Sequence, residues 1–306
     1  MNSDLPKVLH RICGKEMVSL AAHTAHAAGL SPTYVVVPSN SGVGAVLPTG
    51  VRTIEQREQL GTAHALQQAQ DAVGDSEHVA VFNADVPLLR WETLAALVGK
   101  HIDSEAAITL LTATVDDPGD LGRVVRNGSG RASAVVEFAD ADGQTRARHE
   151  VNAGVYCFRT SWMRENLSSL RPSASGETYL TDLVSLAEQQ AEFVADMEAQ
   201  SEEALGVNTR VHLAQATAAM RERIREKWML AGVTMDDPST VYVDVDVEIG
   251  RDTRILPNTH LEGKTRVGTG CSIGPNSTVS DSNISDDCVV DSSIVTNSTL
   301  ERGVHV

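Results

Sequence analysis

The chain has 306 residues, 42% hydrophobic and 4% aromatic, enough for roughly two domains with buried cores. Its 25 basic and 41 acidic residues leave a formal net charge of −16, the wrong sign for a general nucleic-acid or anionic-membrane binder. No run approaches the ~20 apolar residues of a membrane span, no signal peptide opens the chain, and four scattered cysteines (Cys13, Cys157, Cys271, Cys288) form no CxxC pair, which points to a reducing cytoplasm.

Taken in chain order, the N-terminal part alternates strand-like and helix-like runs. Residues 34–37 and 79–82 read as short buried strands, and residues 106–111 as a third. Residues 62–72 and 91–98 have helical composition. Such alternation predicts an α/β fold with a largely parallel sheet, whose ligands bind beyond the carboxyl ends of the strands.

A connector follows. Asn208 or Thr209 is placed to cap a helix, and Leu213, Thr217, Met220, Ile224 and Trp228 recur at spacings of three or four along it. Arg221, Arg223, Arg225 and Lys227 fall in its last turns, where cations complement the helix dipole.

The C-terminal part is set by a period of six. Val243, Ile249, Ile255, Leu261, Val267, Ile273 and Val279 are evenly spaced, and the register slips by one at Ile284 before resuming at Val290. Small residues (Thr253, Thr259, Thr265, Cys271, Ser277) follow four places behind the aliphatics. Neither a helix nor an alternating strand has this period. It is that of a hexapeptide-repeat parallel β-helix, each step supplying one strand and one corner.

Several residues bear chemistry. Asp85 follows the 79–82 strand and precedes Pro87, a place that suits either a carboxylate for Mg²⁺ shared with phosphates or a turn former. In Glu58-Gln59-Leu60-Gly61-Thr62-Ala63-His64-Ala65, Gly61 permits close backbone approach, and free amides at the helix start suit an anion or a base carbonyl; a plain helix cap has the same pattern. His64 reads better as a packed or capping histidine than as a catalyst. Lys7, stiffened by Pro6, fits a phosphate-neutralising charge or a solvated surface lysine. The clusters 150–154 and 176–182 offer amide, hydroxyl and carboxylate groups of the kind that read a sugar.

In order, Ser-Asp-Leu-Pro-Lys-Val-Leu-His (3–10), Glu-Gln-Leu-Gly-Thr-Ala-His-Ala (58–65), Asp-Val-Pro-Leu (85–88), Asp-Asp-Pro (116–118) with Gly122-Arg123, Val-Asn-Ala-Gly-Val-Tyr (151–156), Tyr-Leu-Thr-Asp (179–182) and Gly-Val-Asn-Thr-Arg (206–210) precede the hexads. With them the chain resembles the bacterial bifunctional N-acetylglucosamine-1-phosphate uridyltransferase/glucosamine-1-phosphate acetyltransferases over nearly its whole length. The resemblance implies a Rossmann-like nucleotidyltransferase domain over residues 1–208, a connector helix over 209–230 and a partial left-handed β-helix over 231–306. It implies Mg²⁺-dependent conversion of UTP and N-acetylglucosamine 1-phosphate to UDP-N-acetylglucosamine and pyrophosphate, in the cytoplasm, for cell-wall peptidoglycan synthesis. The sugar-phosphate oxygen attacks the α-phosphorus in line, and positioning with charge neutralisation supplies the rate. By motif match, Asp85 and Asn208 hold the metal and Lys7 neutralises phosphate. Gln56, Gly61 and Thr62 read the uracil. Asn83, Gly122, Glu137, Asn152 and Thr181 complete the substrate site. Neither nucleic acid nor membrane is an expected partner, and the full-length family forms trimers.

The departures carry expectations of their own. Ala84 stands where the family has Gly, Leu121 where it has an aromatic, and residues 173–175 replace an Asn-Ala-Gln stretch. The family pattern opens with an apolar strand and a Leu-Ala-Ala-Gly-x-Gly-Thr-Arg-Met loop, of which the sequence carries the methionine alone. Burying about five apolar side chains of such a strand contributes on the order of 8–15 kcal/mol, comparable with a whole domain's net stability of about 5–15 kcal/mol. The sequence as it stands is therefore expected to be weakly active or inactive in uridylyl transfer. The acetyltransferase centre is expected beyond residue 306. Two other readings are a sugar-1-phosphate nucleotidyltransferase of different specificity and a non-catalytic oligomerising or regulatory paralogue.

Overall fold

A computed structural model describes residues 1–173 and 176–306. The replaced stretch at 173–175 thus falls largely outside the described residues. The chain divides into two compact units: residues 1–9 with 17–212, and residues 10–16 with 213–306.

The first unit is α/β. Helix α1 (Met17–Ala27) leads to strand β1 (Tyr34–Pro38), which pairs in parallel with β2 (Arg52–Gln56). Next come α2 (Thr62–Ala69), β3 (His78–Phe82), α3 (Trp91–Asp103) and β4 (Ile108–Thr114). Then follow β5 (Arg123–Arg126), β6 (Ala132–Val136), β7 (Glu150–Arg159), α4 (Thr160–Leu167), α5 (Asp182–Gln189) and β8 (Val194–Glu198). The larger sheet has the order β8-β4-β7-β5-β6, with β3 also paired to β7.

This sheet is mixed, where simple alternation predicts a largely parallel one. The ten-residue β7 runs antiparallel to both β3 and β4, and its register against β4 shifts between Leu110 and Thr112. A long strand with partners on both edges is buried along nearly its whole length, and Val151, Val155, Cys157 and Phe158 all lie in the core. Among the described residues, no strand pairs with the facing edges of β1 and β3. Those edges, with apolar residues of α1 and α2, bound a cavity of about 400 Å³.

In the second unit, α6 (Arg210–Leu230) buries Ile224 and packs Met220 and Trp228 against the core of the coils. The hexads stack as three parallel four-stranded faces. Val243 lies over Leu261, Val279 and Val295; Ile249 over Val267, Ile284 and Leu300; Ile255 over Ile273 and Val290. The aliphatics point inward and the small residues bury at the corners, where Thr259 and Thr265 each donate to a backbone carbonyl at 2.7 Å. These bonds satisfy backbone groups that a tight corner strands from the ladder. A hairpin pairing Arg11–Ile12 with Lys15–Glu16 belongs to this unit: Val245 N donates to the Cys13 carbonyl (3.0 Å) and Lys15 pairs with Asp246 (2.7 Å). No helix among the described residues is long and apolar enough to cross a membrane.

Candidate active site

The residues singled out by sequence fall into three groups in the first unit. In the first, Lys7 stands at the start of a short 3₁₀ turn (Lys7–Leu9) and Asp85 three residues beyond β3. The Lys7 ammonium lies 2.5 Å from Asp85 Oδ2 and 2.8 Å from Asn208 Oδ1. Val207 N donates to the Asp85 carbonyl (2.9 Å), which ties the approach to Asn208 to the loop after β3. Two side-chain oxygens from distant segments thus converge on one cation.

The second group surrounds Gly61. Its φ is +101°, and a Cβ there would lie 2.5 Å from the Thr178 carbonyl oxygen, so only glycine fits without displacing backbone. Thr178 N donates to the Leu60 carbonyl (2.8 Å), Ala63 N to the Thr178 carbonyl (3.0 Å) and Leu180 N to Thr62 Oγ1 (3.0 Å). The amide of Gln56 donates to the Gly61 carbonyl (3.3 Å) and lies 2.9 Å from His64 Nδ1. Gln68 Nε2 lies 3.2 Å from the other ring nitrogen, so the His64 imidazole sits between two carboxamides, one of them that of Gln56.

The third group gathers where β7 begins. Asn152 N donates to the Gly122 carbonyl (2.9 Å), Asn152 Oδ1 accepts from Gly154 N (3.1 Å) and Asn83 N donates to the Gly154 carbonyl (3.3 Å). Thr181 donates to Glu137 Oε1 at 2.9 Å. Burial pushes the Glu137 carboxyl above the usual range; the Thr181 hydroxyl works against that shift, while Asp182, Asp140 and Glu177 add to it. The Tyr156 hydroxyl is buried between Glu137 and Asn152 without a hydrogen bond of ordinary geometry. Thr62, Asn83, Glu137, Asn152, Tyr156 and Thr181 all line the same cavity. One unsatisfied buried hydroxyl, that of Tyr156, and a desolvated carboxyl facing one cavity are groups a hydroxyl-rich ligand pairs with. Sequence reasoning did not single out Tyr156, although it ends the Val151–Tyr156 motif, nor the Thr178 backbone.

Residues 14–230 match the model of the nucleotidyl transferase family, and residues 246–281 match the bacterial transferase hexapeptide (six repeats). The bifunctional protein GlmU of Caldanaerobacter subterraneus is 40% identical over 308 residues, covering 100% of this chain and 67% of the relative. The bifunctional protein GlmU of Clostridium botulinum is 40% identical over 315 residues, covering 100% of this chain and 68% of the relative. The chain belongs to the GlmU family. It spans about two thirds of the length of these GlmU relatives, and the family assigns its nucleotidyltransferase unit to the sugar-1-phosphate uridyltransferases. Two solved structures share the fold. A UDP-glucose pyrophosphorylase complexed with UDP-glucose superimposes with a TM-score of 0.58 at 15% identity, covering 72% of this chain and 91% of that one. A CMP:2-keto-3-deoxy-manno-octonic acid synthetase complexed with CTP gives 0.54 at 18% identity, covering 71% of this chain and 92% of that one. The GlmU departure at Leu121 leaves that side chain half-buried against the core cluster that includes Val151 and Ala153.

Proposed function

We propose that the three groups form one substrate site, which joins UTP to N-acetylglucosamine 1-phosphate and releases pyrophosphate. The observation that carries this reading is the convergence of Asp85, Asn208 and Lys7 beside a cavity lined by Thr62, Glu137, Asn152 and Thr181. Gln56, Gly61 and Thr62 receive the uracil; backbone amides and a carboxamide fixed by His64 offer donors and acceptors in a set geometry. Glu137, Asn152, Thr181 and the Gly122 backbone take the hydroxyls and acetamido group of the sugar, with Asn83 at the junction. Lys7 neutralises phosphate charge. In a molecule of net charge −16, that neutralisation has to be local.

The donor set also fits Mg²⁺. The Asp85 carboxylate and the Asn208 carboxamide oxygen already share one cation, the Lys7 ammonium. Among the described residues there is no cluster of three or more His, Cys, Asp or Glu that could hold a metal. Mg²⁺ suits this economy because it binds through one or two protein oxygens and completes its shell with water and substrate phosphates. When bound, the ion offsets charge on the phosphates. The chain's own contribution is to hold the two substrates in line and to exclude other nucleobases from the Gly61 loop.

Pyrophosphate release is to be measured with UTP, CTP, ATP and GTP, each with N-acetylglucosamine 1-phosphate and with glucose 1-phosphate. Turnover is expected to be slow, with a preference for UTP with the acetamido sugar. A preference for another nucleotide identifies a nucleotidyltransferase of different specificity.

A further inference from the structure

Arg123 is among the largest side chains in the protein to be fully buried, and its guanidinium has no carboxylate bonded to it. It donates instead to four main-chain carbonyls: those of Pro118 (3.4 Å), Gly119 (2.8 Å), Leu121 and Arg146 (3.2 Å). The Phe138 ring, next to Glu137, lies 5.4 Å from the Arg123 guanidinium carbon and 4.7 Å from that of Arg146. Desolvating a permanent charge is expensive, and a neutral side chain of similar volume would fill the same space at lower cost. The four carbonyls converge on one rigid fork, a geometry that lysine or a neutral side chain cannot reproduce.

The element held by that fork is the edge of the proposed sugar site. Gly122 follows the clamped 118–121 turn directly, and its carbonyl accepts from Asn152 N (2.9 Å). A Cβ on Gly122 would stand 3.4 Å from Glu137 Oε2 and 3.0 Å from Val135 Cγ1. The backbone at 122 is therefore within van der Waals reach of the carboxylate that Thr181 orients. Displacing the turn by an ångström moves the Gly122 carbonyl that Asn152 N meets and the backbone beside Glu137, and both Asn152 and Glu137 line the cavity.

We propose that Arg123 is a positioning residue. Its buried guanidinium holds the 118–122 turn against Glu137 and so sets the protein's affinity for the sugar half of its nucleotide-sugar, separately from the uridine half. The inference rests on the sugar-site reading given above.

Calorimetric titration of the full chain with UDP and with UDP-N-acetylglucosamine, each with Mg²⁺, separates the two halves. Arg123→Lys is expected to weaken UDP-N-acetylglucosamine binding by about tenfold or more, with UDP binding changed by less than about twofold. Gly119→Val acts on the same turn from outside: Gly119 has a φ of +46° in an exposed loop, and a β-branched residue there shifts the turn and leaves Arg123 intact. It is expected to produce the same split, and it serves if Arg123→Lys fails to fold. Equal weakening of both ligands, or no weakening of either, in a folded variant overturns the positioning role. Failure of the unaltered chain to distinguish UDP-N-acetylglucosamine from UDP overturns the sugar-site reading itself.

Discussion

The ammonium of Lys7 lies 2.5 Å from the carboxylate of Asp85, 78 positions away in the chain, and the same ammonium reaches Asn208 at 2.8 Å. Both partners are partly solvent-exposed, so the ion pair contributes little to folding, at most about 1 kcal/mol. Its value lies in where it puts positive charge. Lys7→Ala should leave the melting temperature within a degree or two and lower the chain's already weak kcat/KM for uridylyl transfer about ten- to a hundredfold further, equivalent to about 1.4–2.7 kcal/mol. Steady-state kinetics alongside thermal melting tests this; a large fall in melting temperature with unchanged kcat/KM contradicts it.

Glu137 is held as a costly carboxylate. Its folded-state pKa is raised, chiefly by burial, so the folded form binds its proton more tightly than the unfolded chain does. That linkage makes its contribution to stability greatest in acid and loses it as pH rises through the raised value. Glu137→Gln is accordingly expected to raise the melting temperature at pH 7 and to flatten this part of the pH dependence. The same change should weaken UDP-N-acetylglucosamine binding about tenfold, since a carboxamide accepts from sugar hydroxyls less strongly than a carboxylate. A variant that is less stable at pH 7, or that binds as tightly as before, contradicts this account.

His101 gives the opposite pH sign. It is fully buried, its Nδ1 is 2.9 Å from Thr109 Oγ1, and its Nε2 has no partner. Burial first, then His78 and Arg159, pull its pKa from 6.5 down to about 4. Folded protein therefore binds fewer protons than unfolded chain between those values, and stability is lost as pH falls from about 6.5 towards 4. The loss is about 3 kcal/mol at most. Denaturant midpoints measured from pH 7 to pH 4 should fall for the unaltered chain and fall less for His101→Leu. Parallel curves contradict the assignment.

The period of six was legible because it is a local, one-dimensional signal: each aliphatic faces the prism axis wherever the coil lies. It located Val243 to Val279 and the slip at Ile284 without any knowledge of pairing. The 210–230 helix was legible for the same reason. Sheet order was not, because the antiparallel pairing of β7 with β3 and β4 depends on contacts far apart in sequence. The hairpin at Arg11–Glu16 has no apolar period, and nothing local sends it to the second unit. At the candidate site, Lys7, Asp85 and Asn208 were singled out by motif, yet their meeting at one point is a product of folding. Arg123 was visible as part of a Gly-Arg pair, but a charged residue in a polar loop carries no sequence mark of burial.

In the coils, Ile273 is fully buried between Ile255 and Val290, whereas Ile294 is 81% exposed. Ile273→Ala should destabilise the second unit by about 2–4 kcal/mol, and Ile294→Ala by less than about 0.5 kcal/mol. Chemical denaturation followed by Trp228 fluorescence, in a background carrying Trp91→Phe and Trp162→Phe, separates the two outcomes. Equal effects contradict the inward placement of the hexad aliphatics.

The account rests most heavily on Asp85 as the carboxylate that makes nucleotide-sugar binding depend on a divalent cation. Titration of UDP-N-acetylglucosamine into the chain with and without Mg²⁺, and into Asp85→Asn, tests this directly. The expected result is binding to the unaltered chain that tightens about tenfold or more with Mg²⁺, and no Mg²⁺ enhancement in Asp85→Asn. An equal Mg²⁺ effect in both proteins, or no binding to either, contradicts it.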